Sequence, residues 1–273
     1  MAKGIAKVEY VGSAGQVMPQ GAGVTNWDFL YETSSVESTK FNVGDRVVLP
    51  DGRAFRYCKE HTSTGTGPAL IEPSRGVKFL FDIKGTASGT ADGYSGNVDR
   101  VQAVGDTELH YATQTFAKDV LRGGYAHMTT AGNTHQEFGI IGNSACNASA
   151  MTVYLDRPIS VVCTSTQFTY LMPNPYRFIG RDTDSYNSCA GVSISSPAAG
   201  DYFWIQTWGL LWINQGPDGV GGAAGERRVI FNVDGSLRTG ETGNDNSQTA
   251  GFIVDMTGLG VDAKTFVMLQ ISP

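Results

Sequence analysis

What this chain lacks narrows its reading before any motif is considered. Charged residues make up only 17% of its 273 residues, and the formal charge is -6. No block of lysine and arginine interrupts that balance. A nucleic-acid groove needs such a block to displace counterions from phosphates, so direct nucleic-acid binding is not expected. No apolar run approaches the length needed to cross a bilayer, and no membrane partner is expected. The N-terminal stretch MAKGIAKVEYVGSAG has lysines but no continuous apolar segment; the expectation is no secretory signal and folding in a cytoplasm. The four cysteines, Cys58, Cys146, Cys163 and Cys189, lie far apart without a CxxC pair. They read as scattered buried thiols, with two disulfides left open by spacing alone.

Signatures of catalysis are scarce as well. His61, His110, His127 and His135 belong to no HExxH motif and to no cluster of metal-ligand spacing. His127 and His135 do flank a turn and can converge across a hairpin. No GxSxG elbow offers a serine nucleophile. In an extended strand Cys58 and His61 fall on opposite faces, the wrong arrangement for a thiol and its base. GTGPAL and GPDGVGGAAGERR are glycine-rich but lack the GK[ST] ending and following helix of a phosphate loop. Asp182-Thr-Asp184 and Gly243-Asn-Asp-Asn246 carry the oxygens that calcium prefers, yet read as ordinary loop turns. Acid pairs for glycoside hydrolysis meet only in a fold, and no pair stands out. The expectation is therefore no enzyme activity, no cofactor and no metal site.

Glycine and aromatic residues are what the chain has in quantity: 35 glycines and 10% aromatics. The stretch DYFWIQTWGLLWI, Asp201 to Ile213, holds three of the four tryptophans. Read with a period of two, Phe203, Ile205, Leu211 and Ile213 alternate with Trp204, Trp208, Leu210 and Trp212. Both faces are apolar, which predicts a central strand covered on both sides by a second sheet or a neighbouring subunit. A row of tryptophans also suits a sugar-stacking platform, and burial distinguishes the two.

Around that strand the chain reads as short β-runs separated by turn residues. Pro50-Asp51-Gly52 closes a hairpin between VVL and AFRY, each residue having its own turn chemistry. VKFLFDI from Val77 to Ile83, Val101 to Val104, Thr107 to Tyr111, YAHMTT, EFGIIG, MTVYLD, ISVVCTS, FTYLM, RRVIFNV, AGFIVDM and TFVMLQIS follow as strands, with a turn at Asp234-Gly235. GTASGTADGYSGN reads as a connector or exposed tip. TQTFAKDVLR, residues 113 to 122, is the one helical signal, with Thr115 as cap and Gly123-Gly124 as stop. The predicted fold class is all-β: an antiparallel β-sandwich or jelly-roll-like domain, or domains, with an N-terminal arm and one short helix. Domain boundaries are expected at 1–40 (arm), 41–100 (small hairpin subdomain) and 101–273 (main sandwich). The aromatic cluster NWDFLY makes Trp27, Phe29 and Tyr31 the candidate docking residues of the arm, on its own domain or on a partner.

FNVGDRVVLPDGRAFRY, DYFWIQTWGLLWI, QTAGFIVDMTG and FVMLQISP resemble, in that order, stretches of virion structural proteins of tailed bacteriophages and cyanophages, of the head decoration or capsid cement kind. The likeness covers most of the chain from about residue 40 and carries no active-site residue. It implies a non-enzymatic protein on the outer surface of the assembled head, made in the host cytoplasm. Such a protein bridges major capsid protein subunits, often as a homotrimer, with Trp27, Phe29 and Tyr31 touching the capsid or a sister subunit. The alternative is a host-surface glycan-binding module of a phage fibre or spike, with Trp204, Trp208 or Trp212 stacking on a sugar. A depolymerase is a third and weaker option.

Overall fold

The computed structural model describes residues 9–11, 27–61, 71–80, 83–84, 93–129, 135–181, 187–213, 220, 226–240, 247–256 and 265–273, as backbone alone at 9–11, 83–84 and 255–256. The fold is all-β. In chain order the strands are β1 (Glu9–Val11), β2 (Arg46–Val48), β3 (Ala54–Lys59) and β4 (Gly76–Phe79), then β5 (Ile83–Lys84), β6 (Gly93–Asn97), β7 (Glu108–Phe116), β8 (Tyr125–Thr129), β9 (His135–Asn143), β10 (Cys146–Leu155) and β11 (Phe168–Met172). The chain then continues through β12 (Ile179–Gly180), β13 (Cys189–Ser193), β14 (Tyr202–Ile213), β15 (Arg228–Phe231), β16 (Leu237–Thr239), β17 (Thr249–Met256) and β18 (Thr265–Gln270). Among the described residues, helical structure is limited to single 3-10 turns at Asp28–Tyr31 and Pro175–Arg177. None is long and apolar enough to cross a membrane.

Two compact units form, one from residues 1–80 and 176–273, the other from 81–175. The boundaries therefore do not fall at residues 40 and 100. The hairpin β2–β3 is paired to β14 through six register positions, from Tyr202↔Lys59 to Trp208↔Ala54, which makes it part of the main sheet rather than a subdomain. Ser34 likewise exchanges backbone hydrogen bonds with Tyr202, so the chain before residue 40 is tied to the same unit.

In the first unit the strand order is β1-β2-β3-β14-β18-β17-β15-β16, with β13, β4 and β12 branching from β14. Five strand spacings along this path separate β4 from β15, about 24 Å in a flat sheet. Yet the Gly76 N–H donates to the Gly235 carbonyl at 2.7 Å, beside the turn after β15. The sheet must fold back on itself. Between the layers lie Val192, Leu211, Ile213, Val229, Phe231, Leu237, Val267 and Leu269.

The second unit is one sheet in the order β5-β6-β11-β8-β9-β10-β7, antiparallel except for β5–β6. Its curvature follows from the same arithmetic. β6 and β7 are five spacings apart, again about 24 Å if flat, yet the rings of Tyr94 and Tyr111 meet edge to face at 5.0 Å. The Tyr111 hydroxyl donates to Thr169 Oγ1 on β11 at 3.2 Å, and that hydroxyl donates to the Gly96 carbonyl at 2.7 Å. Tyr111→Phe keeps the ring contact and loses this bridge. It should cost about 1 kcal/mol in chemical denaturation, and no change would show that the hydroxyl chain does not help close the curl.

The helix expected at 113–122 does not form. Thr115 and Phe116 extend β7, and residues 118–123 make turns with Asp119 at φ 58°. The buried Asn143 side chain replaces helical hydrogen bonding, accepting from the Leu121 N–H and donating to the Ala117 carbonyl, each at 2.9 Å. Three other runs differ. GYSGN, read as loop, is strand β6, and neither Val101 to Val104 nor ISVVCTS is a strand: only Gln102 and Cys163 bridge, to each other.

Candidate functional site

β14 changes character halfway along. From Tyr202 to Thr207 every residue is buried. Tyr202 and Trp204 face a cluster with Leu30, Val47, Phe55 and Tyr57, while Phe203 and Ile205 face Cys58, Val77, Ile179 and Ala190 on the other side. This half matches the expected two-sided core strand, and Trp204 is only 2% exposed. A register shift between Gln206 and Trp208 marks a bulge. Gly209 follows at φ +93°, where an added Cβ would lie 2.8 Å from Arg53 Cα. Beyond it β3 has ended and only one face is covered. Leu211 and Ile213 stay in the core, but Leu210 and Trp212 are 43% and 44% exposed, which corrects the expectation that the whole stretch is hidden. The Gln206 side-chain amide donates to the carbonyls of Trp208 and Leu210 at 3.1 and 3.0 Å, where β3 no longer runs alongside.

The open face continues across two more strands. Leu210 is registered with Met268 and Trp212 with Phe266, and Met268 with Phe252. Phe252, Val254 and Phe266 are exposed. Cross-strand neighbours on one face stand near enough to touch, so these residues make one apolar patch on β14, β18 and β17. Beside it lies a cavity of about 480 Å³, lined by Tyr31, Phe55, Ile194, Leu210, Trp212 and Phe266, with Asp51, Arg53, Ser74 and Gln206 among its polar groups. Arg53 Nε donates to Asp51 Oδ2 at 2.7 Å.

The arm's aromatic residues divide. Phe29 stacks on Phe41 at 5.3 Å and meets Trp204 edge-on at 5.7 Å, and Trp27 packs beside it at 6.3 Å. Both belong to the unit's own aromatic core. Tyr31 remains 59% exposed at the cavity and is the one of the three left available to a partner. Of the tryptophans named as possible sugar platforms, Trp204 is buried and Trp208 half-buried; Trp212 alone of these lines the cavity.

The second unit has its own open face, which sequence alone signalled only through the histidines. His127 and His135 do converge, rings stacked at 5.1 Å, and His127 Nδ1 lies 3.6 Å from Glu137 Oε1. Tyr170 packs on His127 at 6.1 Å and on Phe168 at 4.9 Å. His61 instead meets Phe178 edge-on at 5.3 Å, and His110 bonds with Thr152 Oγ1 at 3.3 Å. Among the described residues, no three His, Cys, Asp or Glu side chains converge as a metal site. Asp182, Asp184 and Gly243 to Asn246 lie outside the described residues.

All four cysteines are free and buried. Desolvation raises every thiol, Cys58 well above its usual value and Cys189 to about 12, where nearby Lys78 only partly offsets it. A thiol reagent at pH 8 should therefore find almost no reactive group in the native protein and four after denaturation; a fast-reacting native equivalent would contradict this burial.

No family model, curated protein or solved structure matches this chain.

Proposed function

We propose that this chain is a structural adhesion protein of a phage virion, of the capsid-decoration kind its sequence resembles. The β14–β18–β17 face is its contact surface, seated on the outer side of the head where it bridges major capsid protein subunits. The observation that carries this reading is the patch of Leu210, Trp212, Phe252, Val254 and Phe266, which stands open in the single chain. Such contiguous apolar area on a folded surface marks a place for a partner. Assembly as a homotrimer would repeat the patch around an axis, and several modest contacts acting together hold far longer than one.

The test is co-sedimentation of the purified chain with expanded, DNA-filled heads. Saturable binding to the outer surface is expected. Binding should persist when residues 1–26 are removed, since Trp27 to Tyr31 are retained, and no binding to heads overturns the reading.

The cavity beside the patch favours one other reading, a glycan-binding module. Trp212, Tyr31 and Phe266 offer ring faces there, and Asp51, Arg53 and Gln206 offer hydrogen bonds, the usual make-up of a small-ligand site. Under that reading soluble saccharides change Trp212 fluorescence and Trp212→Ala abolishes the change, while heads are not bound.

A further inference from the structure

Arg46 on β2 and Arg56 on β3 stand directly opposite each other in the hairpin register. Like charges in that position repel and destabilise a strand pair. An overall basic surface does not explain them, since the chain carries a formal charge of -6. Three other arginines of the same unit have acidic partners: Arg53 pairs with Asp51, Arg75 with Glu72 and Asp234, and Arg181 with the same two acids. Among the described residues no carboxylate lies within ion-pair distance of Arg46 or Arg56.

The hydrogen bonding is incomplete in the same place. Nε of Arg46 and Nε of Arg56 are both buried and without a partner. Arg56 donates one bond, from Nη1 to the Gly44 carbonyl at 3.0 Å. Its guanidinium lies over the Tyr176 ring at 5.4 Å. The Asp45 carboxylate, next in the chain to Arg46, accepts the Asn42 N–H at 2.7 Å. Burial, and then the neighbouring Arg56, push the Arg46 guanidinium below its usual value. Two cations are thus held side by side on paired strands, with both Nε donors unused and the Tyr176 ring at their edge.

We propose that Arg46 and Arg56 form a binding site for a dianionic tetrahedral oxyanion, a phosphate or sulfate group, free or as an ester. Two positive charges with no counter-charge among the described residues call for a ligand carrying two negative ones. The guanidinium forks match oxyanions of this kind with parallel N–H···O bonds. This inference stands apart from the adhesion reading, because the pair lies on the hairpin and shares no residue with the patch.

Inorganic phosphate is the probe, titrated into the full chain at constant ionic strength made up with sodium chloride. Wild-type Tm should rise saturably by roughly 5 °C, with broadening of the ³¹P resonance at protein excess. Arg46→Gln removes a side chain that makes no hydrogen bond among the described residues. It should melt at or above the wild-type temperature in chloride and lose the phosphate response and the broadening. Arg56→Lys, which keeps the charge, should weaken the response at least tenfold in half-saturating concentration. Sulfate should act like phosphate, and acetate should act weakly. An equal rise in wild type and Arg46→Gln means a general salt effect and overturns the proposal, as does a stronger response to acetate than to phosphate. Glu9 stands on β1 opposite Val48, two positions along β2 from Arg46, whose own register partner is Val11. A phosphate response seen only in Glu9→Gln would make that carboxylate the natural counter-ion and overturn the proposal too.

Discussion

Trp204→Ala should lower the stability of the unit formed by residues 1–80 and 176–273 by about 3–5 kcal/mol, the range for deleting a buried large aromatic. Its ring is met by Phe41 edge-on at 5.0 Å, by Phe29 edge-on at 5.7 Å and by Tyr57 at 5.1 Å. Such pairs contribute beyond their buried area. The cavity left behind could not collapse easily, because its walls come from four sources: the 3-10 turn, the segment carrying Phe41, the β2–β3 hairpin and β14 itself. Urea denaturation followed by circular dichroism would measure the loss, and Trp204→Phe should recover part of it. A cost below about 1 kcal/mol would mean that the tryptophan is not the packing centre described here.

The opposite result is expected eight residues further on. Trp212→Asp should change stability by no more than about 1 kcal/mol, as substitutions on open surfaces usually do. The same change should weaken attachment to heads by at least about 30-fold, the scale of a buried aromatic anchor at an interface. The contrast follows from β14 alone. Trp204, well before Gly209, is walled in; Trp212, after it, sits on the uncovered face with Phe266 as cross-strand neighbour. Phe252→Asp, on β17, should behave alike. Equilibrium denaturation and head co-sedimentation on the same preparations separate the two effects.

Much of this was readable in advance where the governing chemistry is local. Pro50-Asp51-Gly52 forms its turn as expected, with Gly52 at φ 87° and its N–H on the Leu49 carbonyl at 2.9 Å. The Asp234-Gly235 turn forms as well, Asp234 accepting from Ser236 and Gly235 sitting at φ 80°. Pairings made far along the chain were not readable. Nothing local announces that β3 joins β14, or that residues 81–175 form a unit between two parts of another. The glycines of GYSGN disguised β6: at Gly96 a Cβ would come within 2.4 Å of the Tyr94 hydroxyl, a close approach that composition reports as loop. TQTFAKDVLR misled because Phe116, Val120 and Leu121 have helical spacing, while the competing hydrogen bonds come from Asn143, a residue beyond any local window. The open half of β14 was misread because alternation cannot tell a covered apolar face from one awaiting a partner; only the end of β3 at Ala54 decides it.

Hydroxyl-radical footprinting of the chain bound to heads, against the chain alone, tests the adhesion surface most directly. Protection of Leu210, Trp212, Phe252, Phe266 and Met268 is expected, with Tyr125, Phe168 and Tyr170 of the other unit left reactive. Protection of that second group, with Trp212 and Phe266 as reactive on heads as in solution, would contradict the account.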